Sequence, residues 1–116
     1  RRTAFNIMAV NQDDHVKNFS FLMNQDGRWS LAPAYDLTFA KGQGFTRVHQ
    51  MTLIGKSDHF TRQDYLEAGA RFGIKQNGRA IIDRIADALG NWPRYAKEAG
   101  VPPDLVQSIG TQFRVH

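Results

Sequence analysis

Hydrophobic positions recur at helical spacing through the second half of the chain. In residues 78–90 the apolar side chains stand three or four positions apart, which places them on one face of a helix. Thr61 and Asp64 have the spacing of an N-terminal capping box, and Gly73 ends that segment. Four helices are therefore predicted to begin near Thr61, Gly78, Trp92 and Pro102. Their expected core-facing positions are Tyr65, Leu66, Ala68, Gly69 and Phe72; Ile81, Ile82, Ile85, Ala86 and Leu89; and Leu105, Val106, Ile109 and Phe113.

The first half of the chain has shorter patterns. An apolar run over residues 4–10 is typical of the end of a helix, and residues 18–23 and 29–31 are predicted as two short strands. The sequence Asn24-Gln25-Asp26-Gly27 between them predicts a hairpin turn, because glycine adopts a positive φ without a Cβ clash. Residues 38–49 lack periodicity and predict a loop, and Met51 to Ile54 predict a short strand. The fold class that follows is mainly α with a small β-hairpin, with the helices closing one core over the hairpin.

Composition limits the kind of protein that this chain forms. Its 116 residues, 41% hydrophobic and 22% charged, predict one domain over residues 1–116. The net charge of +4 comes from scattered basic residues, which favours a solvated surface over a nucleic-acid interface. The absence of cysteine excludes disulfides and thiolate metal sites and is compatible with a cytoplasmic protein. No apolar run approaches the length of about 20 residues that a membrane helix requires.

Ionisable and amide side chains are concentrated in residues 11–18. Asp13 is followed after four residues by Asn18, and Asp36 comes after the predicted hairpin. In protein kinases a catalytic-loop Asp accepts the substrate hydroxyl proton, an Asn five positions later binds one Mg²⁺, and an Asp beyond a short hairpin binds the other. Mg²⁺ prefers hard oxygen ligands of these two types. The spacing predicts a phosphoryl-transfer site with Asp13 beside the acceptor hydroxyl and with Asn18 and Asp36 as ligands of the Mg²⁺ that accompanies ATP.

Two segments resemble the HipA-type serine/threonine kinase toxins: Asn11-x-Asp13-Asp14-His15-x-Lys17-Asn18-Phe19-Ser20 and Leu31-Ala32-Pro33-Ala34-Tyr35-Asp36-Leu37. Residues 49–56 and the following helices also look like the C-terminal part of that family. The resemblance implies a kinase-like C-lobe that uses ATP and Mg²⁺, with Asp13 as the catalytic residue. It also implies a protein substrate such as an aminoacyl-tRNA synthetase, and a HipB-type antitoxin through which the protein contacts operator DNA.

The chain departs from ordinary protein kinases at two positions. His15 stands where serine/threonine kinases commonly have a lysine, so His15 or Lys17 is expected to replace that catalytic lysine. The metal-binding triplet has Asp36 between Tyr35 and Leu37 instead of Asp-Phe-Gly. The HipA-type pattern accommodates both departures.

A kinase also needs a glycine-rich loop and a lysine for the ATP phosphates, which lie in an N-terminal lobe. The nearest candidate, Gly42-Gln43-Gly44, follows the metal-binding Asp and opens no helix, so a flexible loop is the preferred interpretation. The chain also opens at Arg1 within a helical pattern. We therefore expect a fragment of a longer protein that folds but is inactive as a kinase by itself.

Several alternatives remain open from the sequence. The same Asp-x4-Asn spacing occurs in small-molecule phosphotransferases that act on aminoglycosides or choline, and a non-catalytic helical module that binds the antitoxin is a further class. A transition-metal site at the adjacent Asp13, Asp14 and His15 is disfavoured, because side chains of neighbouring residues rarely converge on one ion. For Lys56 a solvated position is preferred over contact with an anionic ligand, and His49, His59 and His116 are expected to be structural or solvated.

Overall fold

A computed structural model of the chain describes residues 1–74 and 76–115. In these residues five α-helices accompany a single antiparallel hairpin, which confirms a mainly α fold of the α+β class. Short 3₁₀ turns lie at Val16–Asn18 and Phe45–Arg47. The helices and strands, in chain order, are α1 (Arg2–Met8), β1 (Phe21–Met23), β2 (Trp29–Leu31), α2 (Arg62–Arg71), α3 (Gly78–Gly90), α4 (Trp92–Glu98) and α5 (Pro103–Gly110).

The hydrophobic core lies where α3 packs against α1 and α2. Ile82, Ile85 and Leu89 of α3 are buried there, as their helical spacing predicts, and Ile81 and Ala86 pack against them in half-buried positions. Helix α1 contributes Ile7 and Met8, and α2 contributes Tyr65. The last residues of α1 are thus fixed in the core, and the segment with the candidate site residues emerges from this fixed point.

The core does not extend over the hairpin, so that expectation is wrong. The β1 and β2 strands pair only with each other, in the register Phe21 with Leu31, and every residue of both strands is exposed. Phe21 is 63% exposed and Trp29 is 67% exposed. The three helices α1 to α3 already cover one another's apolar faces, which leaves the hairpin as a separate projection with its Asn24–Gly27 turn as predicted and Gly27 at a φ of 75°.

Two predicted core positions on the helices are also exposed. Phe72 is 84% exposed because it is the C-cap residue of α2, where the helix turns away from the core. Leu105 is 46% exposed, since α5 packs chiefly against the short helix α4 and buries no residue fully. The inward side of α5 is instead defined by Val106, whose carbonyl oxygen accepts a 2.8 Å hydrogen bond from the indole nitrogen of Trp92.

Two segments that were predicted as strands differ in the structure, the first in part and the second completely. The first strand begins at Phe21 and not at residue 18, because Asn18 lies in a 3₁₀ turn and its side chain donates to the backbone carbonyl of Asp13, which precedes that turn. Residues 51–54 do not form a strand. Leu53 and Lys56 exchange two backbone hydrogen bonds of 2.9 and 3.0 Å around Ile54 and Gly55, which both have positive φ, 49° and 83°. This geometry is a tight two-residue turn.

Helix α2 begins with the predicted capping box. The Thr61 hydroxyl accepts a hydrogen bond from the backbone N–H of Asp64, and the Asp64 carboxylate accepts one from the backbone N–H of Thr61 at 2.7 Å. Lys56 donates to both carboxylate oxygens of Asp64, each at 2.8 Å, so this lysine is bound within the chain and is not simply solvated. The hydrogen bond from Lys56, followed by that from the Thr61 backbone, holds the pKa of Asp64 below its ordinary value.

We expect the contribution of Asp64 to stability to disappear in acid. Because its pKa is lower in the folded chain than in the unfolded one, the stabilisation is fully present above the unfolded value of about 4 and is lost as the pH falls through the folded value. Thermal unfolding from pH 7 to pH 2 should show Asp64→Asn less stable than the unsubstituted chain near neutrality, with the difference vanishing in acid. Asp87→Asn, an exposed Asp→Asn change on α3, is the control and should show no such pH-dependent difference. A difference for Asp64→Asn that is constant with pH would contradict this assignment.

Candidate functional site

The segment with the candidate residues begins at a strained position directly after α1. Val10 is buried and has a φ of 57°, a left-handed conformation that a β-branched side chain rarely adopts. The backbone N–H of Asn11 closes the helix end on the Asn6 carbonyl at 2.8 Å. Residues 10–12 then run beside Ala40, which donates to the Val10 carbonyl at 3.0 Å and accepts from Gln12 at 2.8 Å. Such strain persists only where the surroundings hold it, so the backbone just before Asp13 is tightly fixed.

Asn18 closes the loop that begins at Asp13. Its side-chain Nδ2 donates a 3.1 Å hydrogen bond to the backbone carbonyl of Asp13, and Asn18 itself is buried in the 3₁₀ turn that follows His15. A carbonyl oxygen can only accept, so the amide nitrogen of Asn18 must face it. The Oδ1 atom of Asn18 is therefore the acceptor that remains for a ligand.

The hairpin returns the chain to this loop at Tyr35 and Asp36. The Tyr35 hydroxyl donates to the Lys17 carbonyl at 2.7 Å, and the Asn11 side chain donates to the Asp36 carbonyl at 3.0 Å. Asp36 has a φ of 53°, a left-handed conformation that Asp tolerates better than most residues. Its backbone is held while its carboxylate is exposed, and within residues 1–74 and 76–115 that carboxylate forms no hydrogen bond or ion pair.

His15 and Lys17 lie between the two ends of the loop. His15 is half-buried and Lys17 is exposed, and in the described part of the chain neither side chain donates a hydrogen bond to Asp13. The exposed ammonium group of Lys17 is free to reach an anionic ligand beside the loop. The catalytic roles expected for His15 and Lys17 stay predictions.

One buried pair was not found from the sequence. Asp14 and His49 are only 1% and 2% exposed, and Asp14 Oδ2 lies 3.1 Å from His49 Nδ1. Asp14 Oδ1 accepts from the backbone N–H of Gln50 at 2.9 Å and of Met51 at 3.4 Å. The structural role expected of His49 fits this position, but His49 is not isolated. No spacing rule connects two residues 35 positions apart, which is why sequence patterns did not reveal the contact.

The position of Asp14 also bears on the transition-metal alternative. Its carboxylate is turned into the protein towards His49 and away from its neighbours Asp13 and His15. In residues 1–74 and 76–115, no three His, Asp or Glu side chains converge in a way that would hold a metal ion. The roles of Asn18 and Asp36 as ligands of a hard cation stay predictions.

Comparison with known proteins identifies the family. The HipA-like C-terminal domain matches residues 1–92, a span that contains α1, the hairpin and every candidate site residue. The chain belongs to the HipA-like C-terminal domain family. No curated protein and no solved structure matches it. Among the described helices, none combines the length and the hydrophobicity needed to cross a membrane.

Proposed function

We propose that this chain carries the catalytic loop of a HipA-like serine/threonine protein kinase that transfers a phosphoryl group from ATP to a protein hydroxyl. The observation that supports this most directly is the 3.1 Å hydrogen bond from Asn18 to the Asp13 carbonyl. It joins the two residues of the Asp-x4-Asn spacing within the short loop of residues 13–18, which supports a common site for both. Membership in the HipA-like family supports phosphoryl transfer as the reaction class.

The donor groups at the site suit Mg²⁺. Asn18 offers a carbonyl oxygen and Asp36 a carboxylate that forms no other bond within the described residues, and these are the hard oxygen ligands that Mg²⁺ accepts beside phosphate and water. When bound, Mg²⁺ supplies positive charge that neutralises the phosphate oxygens of ATP. Asn11, which lies just before Asp13, donates to the Asp36 carbonyl and so attaches the Asp36 backbone to the segment that contains Asp13.

In this proposal Asp13 accepts the proton of the attacking hydroxyl. Its backbone is fixed on the N-terminal side by the contacts of residues 10–12 with Ala40 and on the other side by Asn18. Positioning of the acceptor is most of what a protein supplies to phosphoryl transfer, because little covalent chemistry falls to it. His15 or Lys17 takes the place of the lysine that ordinary kinases have two residues after the catalytic Asp.

The proposed substrate class is an aminoacyl-tRNA synthetase in the cytoplasm, and a small-molecule phosphotransferase is the alternative. The test uses the natural full-length polypeptide with γ-labelled ATP, Mg²⁺ and a panel of purified synthetases. Label on a serine or threonine of one synthetase supports the proposal. Label that reaches only an aminoglycoside or choline favours the alternative, and no transfer to any acceptor contradicts both.

A second candidate activity is binding of a HipB-type antitoxin, with DNA contacted only through that partner. The exposed hairpin favours antitoxin binding, because it carries five apolar side chains that are all more than half exposed on one short projection. These are Phe21, Leu22, Met23, Trp29 and Leu31. Contiguous exposed apolar residues commonly mark protein interaction sites.

We expect Trp29→Ser to weaken binding of the cognate antitoxin by about 30-fold or more, since tryptophans at the centre of an interface often contribute 2 kcal/mol or more. Calorimetric titration of the natural full-length polypeptide with the antitoxin measures this. Phe72→Ser is the control, because Phe72 is an aromatic residue at the end of α2 that is even more exposed than Trp29, at 84% against 67%. Unchanged affinity for Trp29→Ser would exclude the hairpin from the interface.

A further inference from the structure

The buried Asp14–His49 pair has no role in the chemistry proposed above. One of its members, Asp14, directly follows Asp13 in the chain. Asp14 accepts three N–H groups, from the His49 ring and from the backbones of Gln50 and Met51. A carboxylate that accepts several hydrogen bonds is held at several points, and hydrogen bonds to charged groups are the stronger kind. The pair therefore joins the candidate catalytic segment firmly to residues 49–51.

The two ring nitrogens of His49 have different surroundings. The Nε2 atom is buried and has no hydrogen-bond partner in the described residues. Both oxygens of a carboxylate accept hydrogen bonds, so the ring nitrogen that faces Asp14 is assigned as the N–H donor. Nδ1–H donates to Asp14 Oδ2.

His49 is itself attached to the core. Its backbone N–H donates to the Ser57 carbonyl at 3.0 Å, and its ring packs edge-on against Phe60 with centroids 5.6 Å apart. Phe60 in turn stacks on the buried Tyr65 of α2, at 6.4 Å. A continuous series of contacts thus runs from the helical core through His49 to Asp14.

We infer that Asp14 and His49 are positioning residues for Asp13. This inference rests on the proposed function, because it assigns the pair a part in phosphoryl transfer. Asn18 holds the Asp13 carbonyl, and the contact with His49 holds Asp14, the residue that follows. The Asp13 side chain therefore leaves the backbone between two anchored points. Displacements of about 1 Å in a catalytic group cost up to about 10²-fold in rate. Loss of the pair should lower kcat and leave the Mg-ATP contacts of Asn18 and Asp36 in place.

The test compares His49→Asn with His49→Gln in the natural full-length polypeptide. The Asn amide nitrogen takes the place of Nδ1 and still donates to Asp14, whereas the Gln amide nitrogen takes the place of Nε2 and does not. We expect kcat of the Asn variant to remain within about threefold of the unsubstituted protein and kcat of the Gln variant to fall about 10- to 100-fold. The KM for Mg-ATP should change less than about twofold in both.

Packing alone predicts the opposite order, because Gln fills more of the ring's volume than Asn does. A kcat for His49→Gln equal to or above that of His49→Asn would overturn the inference, as would a rise in KM at constant kcat. Absence of transfer by the unsubstituted protein would instead contradict the proposed function.

Asp14→Asn gives a second test that preserves side-chain volume at both positions and so remains informative if the Gln variant does not fold. Both carboxylate oxygens accept hydrogen bonds, so either orientation of the Asn amide directs an N–H₂ group at an N–H donor. The same loss of kcat with an unchanged KM is expected, and an unchanged kcat would overturn the inference.

Discussion

Asp13→Asn is expected to lower the rate of phosphoryl transfer by about 10²–10⁴-fold, the range that a positioned acid-base group typically contributes. The substitution preserves volume and leaves the Asp13 backbone carbonyl, which Asn18 holds, unchanged. It removes only the carboxylate that accepts the hydroxyl proton. Binding of Mg-ATP should therefore stay within about threefold of the unsubstituted value, because the proposed metal ligands are Asn18 and Asp36.

The measurement is transfer from γ-labelled ATP by the natural full-length polypeptide, with nucleotide binding followed by calorimetry. Asp87→Asn makes the same chemical change on the exposed side of α3 and should leave the rate unaltered. A retained rate above about a tenth of the original would show that Asp13 is not the proton acceptor. An equal loss of rate and of nucleotide affinity would place Asp13 among the metal ligands instead.

Elements with strong local signals were predicted well from the sequence. Helix α3 runs from Gly78 to Gly90 as its apolar spacing indicates, and α2 begins at the capping box of Thr61 and Asp64. The turn at Gly27 follows from its Asp-Gly sequence. In each case the determining interactions lie within a few residues, so that one stretch of sequence contains both partners.

Features that depend on packing between distant segments were not predictable in this way. The exposure of Trp29 and Leu105 depends on which faces α1 to α3 leave uncovered, and periodicity identifies an apolar face without identifying what covers it. The Asp14–His49 pair is a contact between a loop and a segment far along the chain. The positive φ of Val10 was likewise not predictable, because valine usually avoids positive φ.

In the candidate site, too, contacts between distant segments were harder to predict than local spacing. The Asp-x4-Asn spacing of Asp13 and Asn18 is local, and the Asn18 side chain does reach back to the Asp13 backbone. The approach of Asp36 depended on the hairpin, which was predictable because its turn signal was strong. What the spacing did not indicate is that Asn11 binds the Asp36 carbonyl and so contributes to the arrangement of the site.

Asn18→Ala and Asp36→Ala are each expected to weaken Mg-ATP binding of the natural full-length polypeptide by about tenfold or more. The double variant should lose little beyond the larger single loss, because both side chains are proposed to act on metal ions that bridge the same phosphates, and residues of one network are not additive. Calorimetric titration with Mg-ATP measures all three affinities. Fully additive losses would show that the two residues act independently.

Asn18→Asp separates the two functions proposed for Asn18. An aspartate at this position keeps an oxygen for the metal but loses the N–H that Asn18 donates to the Asp13 carbonyl, and it places a negative charge 3.1 Å from that oxygen. Mg-ATP affinity should therefore be retained while kcat falls, because the Asp13 backbone is no longer held. If affinity fell as much as in Asn18→Ala while kcat was unchanged, Asn18 would act only as a metal ligand, and its hydrogen bond to Asp13 would have no part in catalysis.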